Sequence, residues 1–381
     1  MSKKLLAAAI AAALAPAAVM AEASNVTIYG RIDYGFMSRG GDNGGATQAG
    51  KRDRLNDFED GILGTNRFGF KGSEDLGNGL KAIYEFEFGF NGDTGNAFGD
   101  TTNRHSWVGL TGAFGTVLGG RVDGARYSFV GKYDPFKNQT VANAGSLFGV
   151  TSGLGQADRA DNAIVYITPE LAPGLKVLAA YTTDLLGGTT DAGTTSIAGQ
   201  KVDTGDTPLW AVALMYDNGP ISLLADYENL QIKANTGSDS EFDLWVFGAS
   251  YDFGVVKLHG YYENVEGANS ASKAVSNSDG WLIGLSAPVT ANITLKASYV
   301  KANNDAFANS DCSKWGIGGE YAFSKRTTAY ATYAKIDSDS DVVGRACGIS
   351  KNAAGNAATP AANNNRAYGD SGFNIGLAHT F

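Results

Sequence analysis

From Val26 onward, apolar and polar positions alternate along the chain. Between Lys81 and Phe90, the residues Ala82, Tyr84, Phe86, Phe88 and Phe90 share one parity against Lys81, Ile83, Glu85, Glu87 and Gly89. In the same way Ile221, Leu223, Ala225 and Tyr227 oppose Ser222, Leu224, Asp226 and Glu228, and Ile293, Leu295, Ala297 and Tyr299 oppose Thr294, Lys296 and Ser298. Successive side chains of a strand point to opposite faces, so a period of two predicts strands with one apolar and one polar face. No helical period is sustained after the first two dozen residues.

The strands come in pairs separated by alternating short and long connections. The short ones are Ser73–Gly79, Ala113–Gly115, Thr168–Gly174, Asp217–Pro220, Asp252–Gly254, Pro288–Asn292 and Ser324–Arg326. The long ones are 39–62, 91–103, 124–161, 184–208, 234–240, 267–278, 302–313 and 338–371, rich in Gly, Asn, Ser, Thr and Asp and read as loops. About sixteen strands lie between them. A secreted sandwich or propeller has little need to gather its short turns at one end and its long loops at the other. A barrel in lipid does, because every backbone N–H and C=O must be paired within a closed sheet. The pattern therefore predicts a closed 16-stranded antiparallel transmembrane β-barrel, with lipid on the apolar parity, water on the polar one, short periplasmic turns and long extracellular loops. The last strand carries Phe373, Ile375, Leu377, His379 and Phe381 on one parity and must pair with the first to close the sheet. Its terminal Phe381 is expected at the membrane boundary, where aromatic rings are stable.

The start of the chain reads differently. Ser2-Lys3-Lys4 is a short basic region, Leu5 to Val19 an apolar run, and Val19-Met20-Ala21 a small-residue cleavage site, with a cut after Ala23 the alternative. Residues 1–21 are the expected signal peptide, to be removed, and 22–381 the single barrel domain. Without Lys3 and Lys4, 28 basic residues face 39 acidic ones, a formal charge of −11. That balance gives no basic footprint for nucleic acid. After the leader, no apolar run approaches the roughly 20 residues of a membrane helix.

Five stretches in order resemble the general-diffusion porins of Gram-negative outer membranes, in particular the betaproteobacterial type. They are the opening Val26–Gly35, Arg67–Ala82, Asn103–Arg121, Asp161–Tyr166 and the terminal Gly376–Phe381. The resemblance implies a homotrimer whose third long loop folds into the lumen, and a terminal Phe381 that the outer-membrane assembly machinery reads as a signal. It also implies a ladder of basic residues on the wall at the constriction. Arg31, Arg67, Arg104 and Arg159 match that ladder, with Arg121 a fifth member. Parity agrees: Arg31 opposes Ile28, Ile32 and Tyr34, and Arg67 opposes Phe68 and Phe70. An arginine facing lipid at the midplane costs about 2–4 kcal/mol, and one facing water costs little. On the loop, where many family members carry Pro-Glu-Phe-Gly-Gly, this chain has Tyr133-Asp134-Pro135-Phe136. Asp134, with Asp123 second, is the expected acidic partner, giving a transverse field across the eyelet.

Cys312 and Cys347, the two cysteines, fall in the last two long connections, and an even count in an exported chain points to a disulfide. His105, His259 and His379 show no metal-ligand spacing to another His or Cys, and no nucleophile elbow precedes a helix, so no enzyme, metal or cofactor is expected. The expected activity is passive diffusion of small hydrophilic solutes and ions across the outer membrane. A substrate-specific channel and a non-conducting adhesin barrel are the alternatives.

Overall fold

The structure is a computed structural model that describes residues 25–40, 54–93, 102–152, 158–185, 194–197, 200–203, 207–233, 239–269, 277–304, 311–338 and 369–381. The expected signal peptide lies outside them. Seventeen strands form one antiparallel sheet. In chain order they begin with β1 (Asn25–Gly40), β2 (Arg54–Asp60), β3 (Arg67–Gly77), β4 (Leu80–Gly89), β5 (Thr102–Gly112), β6 (Gly115–Asp123), β7 (Arg159–Ile167) and β8 (Leu175–Asp184). A separate hairpin, β9 (Thr194–Ile197) with β10 (Gln200–Asp203), interrupts the series. It resumes with β11 (Leu209–Asn218), β12 (Ile221–Ile232), β13 (Ser240–Asp252), β14 (Lys257–Asn269), β15 (Ser278–Pro288), β16 (Ile293–Asn304), β17 (Cys312–Ala322), β18 (Thr327–Ser338) and β19 (Ser371–Thr380).

Seventeen strands make sixteen staves, because β2 and β3 are two halves of one. β2 pairs with Tyr34–Gly40 of β1, and β3 with Asn25–Arg31 of the same strand. The sheet closes where β1 meets β19, from Arg31 opposite Thr380 to Gly40 opposite Ser371. One more ladder step joins Gly30 and Phe381, each donating its N–H to the other's carbonyl at 3.1 Å. No backbone edge is left open to lipid along this seam.

The outer wall carries the expected parity. Ile28, Ile32, Leu223, Leu295, Ile375 and Leu377 are all exposed. Rings gather at two levels. Beside the short turns stand the pairs Tyr251–Phe253 and Tyr321–Phe323; toward the long loops stand Trp210–Tyr227–Trp245 and Trp315–Tyr333. Two aromatic girdles bounding an apolar band are what a bilayer with two interfaces selects.

Three connections differ from the sequence reading. Ser73–Gly77 is strand, not turn: the β3–β4 hairpin closes on Asn78 and Gly79, both at positive φ (54° and 77°), and the polar residues before them are the wet end of a stave. The long connection 39–62 contains β2, and 184–208 contains the β9–β10 hairpin.

The inner wall also departs from a simply polar face. The connection after β6 folds inward as α1 (Ala125–Tyr133), an irregular turn, and α2 (Gly145–Ser152). Phe129, Val130, Tyr133, Phe136, Val141, Leu147 and Phe148 of this loop are buried in one cluster with inward-facing Leu224, Val246, Leu282, Val300 and Ile336 of the wall. Wall positions under the loop are apolar on the lumen side because there they meet protein rather than water. Four wall glycines are sockets for it: a Cβ on Gly248, Gly280, Gly284 or Gly316 would stand 2.3–2.5 Å from Tyr133, Phe148, Pro135 and Ala142 respectively.

Candidate pore constriction

The second stave breaks at Gly61–Asn66, between β2 and β3, and the break turns into the lumen. Asp33 holds it, accepting from Leu63 N (2.5 Å), Gly64 N (2.9 Å) and the Tyr330 hydroxyl (2.7 Å). The loop's tip rests on the same feature, with Thr140 N donating to Ile62 O at 2.9 Å and Val141 N to Asn374 Oδ1 at 3.1 Å. Its flanks are fixed elsewhere: Arg126 N to Glu228, the Tyr133 hydroxyl with Ser222, and Lys314 Nζ to Ser146. The loop therefore crosses from the β6–β7 end to walls on both sides of the closing seam.

Opposite it stand the predicted arginines. Arg31 and Arg67 are direct register partners across β1 and β3, both half-buried. Arg31 Nη1 lies 3.4 Å from Leu63 O, and Arg67 Nη1 lies 3.7 Å from Glu87. Arg104 is buried and donates through Nε to Glu87 at 2.6 Å. A bulge explains its direction: Glu87 pairs with His105 but Phe88 with Asn103, so Arg104 is the extra residue and turns inward beside His105. Arg159 is buried between Asp123 (2.8 Å), the Arg104 carbonyl (3.0 Å) and the Tyr127 ring (5.8 Å). Arg121 donates to Asn103 O at 2.7 Å and pairs with Asp161.

The structure thus brings the five arginines to one sector of the wall but grades them. Arg104 and Arg159 are buried against Glu87 and Asp123, whereas Arg31, Arg67 and Arg121 are half-buried, Arg121 paired with Asp161 and Arg67 more loosely with Glu87.

The acidic partners need correction. Asp134 does not face the ladder. It is buried inside its own loop, where Phe136 N, Asn138 N and Ala144 N all donate to it at 2.9–3.0 Å. It is a structural staple, and burial raises its pKa against the opposing pull of those donors. Asp123 is the last residue of β6 rather than a loop residue, bound to Arg159 and to His105 Nε2 (3.0 Å).

Among the described loop residues, the exposed charged side chains are Lys132 and Lys137, with Asp158 at the loop's far end beside Arg159. Lys132 pairs with Asp217 at 2.9 Å. Lys137 stands in a field of like charge from Lys296, Arg31 and Lys257, with Glu320 opposing; partial desolvation by the surrounding lumen first, and then Lys296, lower its pKa. At the inward turn, the expected acidic partner of the basic wall is replaced by a basic one, Lys137. Sequence reasoning missed Lys137 because a lysine between Phe136 and Asn138 carries no periodicity; only its positive φ of 55° and its place on the inward turn mark it.

Cys312, the first residue of β17, is buried and disulfide-bonded. Cys347 lies outside the described residues.

Comparison with known proteins places this geometry among outer-membrane channels. A family model described as Gram-negative porin matches residues 7–341. An outer membrane porin protein of Bordetella pertussis is 30% identical over 250 residues, covering 62% of this chain and 61% of that one. Outer membrane porin protein 32 of Delftia acidovorans is 32% identical over 229 residues, covering 58% of each. The matched segments therefore span less than two thirds of these relatives. Over nearly the whole barrel, the structure superposes on an anion-selective porin from Comamonas acidovorans with a TM-score of 0.75 and 25% identity, covering 94% of this chain and 100% of that one.

Proposed function

The chain belongs to the Gram-negative porin family, and from that premise we propose that it forms a water-filled outer-membrane channel for passive diffusion of small hydrophilic solutes, with anions favoured at the eyelet. The observation that carries the anion preference is Lys137 on the loop sharing one field with Arg31 and Lys257, and with Lys296, whose charge Glu320 partly offsets. A narrow passage with low-dielectric walls raises the local concentration of the ion that its charge attracts. The formal −9 of the chain, −11 without Lys3 and Lys4, is spread over the whole molecule, and beyond about 8 Å exposed charge is screened at physiological salt.

Five arginines have two jobs. Arg31 and Arg67 present charge to the passing ion, while Arg104, Arg159 and Arg121 lock the wall through carboxylates. Three copies pack by their outer walls, as the family resemblance implies, and Phe381 is read by the assembly machinery as the barrel closes. Cys312 bonds Cys347, tying the last two long connections together.

Purified protein added to a planar bilayer tests the channel. Steady open steps are the expected result; a folded protein that gives none is an adhesin or plugged barrel.

A further inference from the structure

We propose that Glu85, Glu87 and His105 form a site for a divalent transition-metal ion of the zinc class on the pore wall. One donor atom from each lies within 4.8 Å of the other two. His105 Nδ1 stands 3.4 Å from Glu85 Oε1 and 3.8 Å from Glu87 Oε1. It is buried and makes no hydrogen bond. Those separations are long for a direct bond but close to the span of two ligands on one ion: donors about 2.1 Å from a tetrahedral zinc lie about 3.4 Å apart.

The outer support of a metal-binding histidine is present too. Nε2 faces Asp123 Oδ1 at 3.0 Å, so when the ring gives up a proton to a metal the remaining one is held on Nε2 and Nδ1 is the atom aimed at the two glutamates. A carboxylate holding the second ring nitrogen orients the imidazole and raises its basicity. Tyr29 fixes Glu85 from the other side, its hydroxyl donating at 2.5 Å. The three ligands come from adjacent strands through the pairing of Glu87 with His105, so spacing along the chain gives no sign of them. Glu85, His105 and Asp123 also line a cavity of about 290 Å³ between the wall and α1, which gives the ion a way in.

Arg104 and Arg67 compete for Glu87. The site therefore selects ions that bind imidazole strongly and discriminates against calcium and magnesium, which take oxygen ligands. A protonated imidazole must lose its proton to bind, so affinity rises with pH.

The test is calorimetric titration of the detergent-purified, full-length barrel with zinc chloride, repeated with cobalt(II) to read coordination from its visible absorption. Wild type should bind one ion per chain. Glu85→Gln and His105→Gln, both close in shape, should each weaken binding at least tenfold, and His379→Gln, on the outward face, should leave it unchanged. Heat-sensitive migration on a denaturing gel confirms that each variant is folded, and a Glu87→Gln barrel replaces any that is not. Absence of zinc binding in wild type, or undiminished binding in both folded glutamine variants, overturns the site. Equal loss in His379→Gln places the ion elsewhere and overturns it as well.

Discussion

Val141 donates its backbone N–H to the side-chain oxygen of Asn374 at 3.1 Å, across 233 residues of chain. Asn374 lies on the inward parity of β19, between outward Phe373 and Ile375, and is fully buried. The strand that closes the barrel thus also carries the inward loop that narrows it. Asn374→Ala leaves a buried N–H without a partner, which costs about 1–3 kcal/mol. The expected outcome is a barrel that still assembles but shows noisier open current, with the loop cut faster by added protease. Quiet current and unchanged cleavage would show that Asn374 does not anchor the loop.

The wall glycines give a steric version of the same experiment. A side chain at Gly248 or Gly284 must displace Tyr133 or Pro135, because its Cβ alone would stand 2.3 or 2.4 Å from them. Overpacking of this kind costs about 1–3 kcal/mol and is relieved by moving the more mobile partner. Gly248→Val with Gly284→Val should push the loop off the wall and raise single-channel conductance. The same change at outward-facing Ala249 and Leu285 should not; conductance equal in both double variants would mean that the loop does not set the narrowest point.

At the seam, Phe381 rests on Gly30, where an added Cβ would come 2.3 Å from the ring. Deleting Phe381 removes both the last backbone pair and the ring. Gly30→Val keeps the chain length but evicts the ring. Both are expected to lower the heat-resistant, folded fraction recovered from outer membranes, and Thr380→Ala to leave it near wild type. If Gly30→Val assembles normally while the deletion fails, terminal length rather than ring seating is what matters.

Sixteen staves, their outward faces and the side on which the loops are long were all legible in the period-two pattern, because lipid imposes that pattern on every strand independently. Parity alone also placed Arg31 and Arg67 inside. The role of Asp134 was not legible. Whether a loop carboxylate faces a pore or caps its own backbone depends on the turn geometry of residues 134–144, which no periodicity encodes. The inward directions of Arg104 and His105 depend on one bulge against Glu87 and Phe88, and a single extra residue in a ladder leaves no mark on composition. The apolar lumen face at Leu224, Val246 and Leu282 breaks the alternation because it is the seat of the loop.

Lys137 makes the selectivity depend on pH. Desolvation inside the lumen and its basic neighbours hold its pKa below that of a free lysine, so it loses its charge at a lower pH than a free lysine would. Anion preference should therefore fall as the bath is made alkaline, before lysines in general titrate. Lys137→Arg, which keeps its charge throughout, should hold the preference over the same range. Parallel decline in the two proteins would assign the effect to other groups.

The central claim is that Arg31, Arg67 and Lys137 set a positive eyelet, and the zero-current potential across a planar bilayer reads it most directly. Under a tenfold salt gradient a perfectly selective pore for monovalent ions gives about 59 mV. The wild-type channel should show the anion sign, most strongly at low total salt, where screening is least. Arg31→Ser, Arg67→Ser and Lys137→Ser combined should remove about half of that potential or more, since the focused charge is gone. The same number of serines at Lys81, Lys176 and Lys325, at the short turns away from the eyelet, should move it little. A wild-type potential of cation sign, or a triple variant whose potential at low salt matches wild type, would contradict the account.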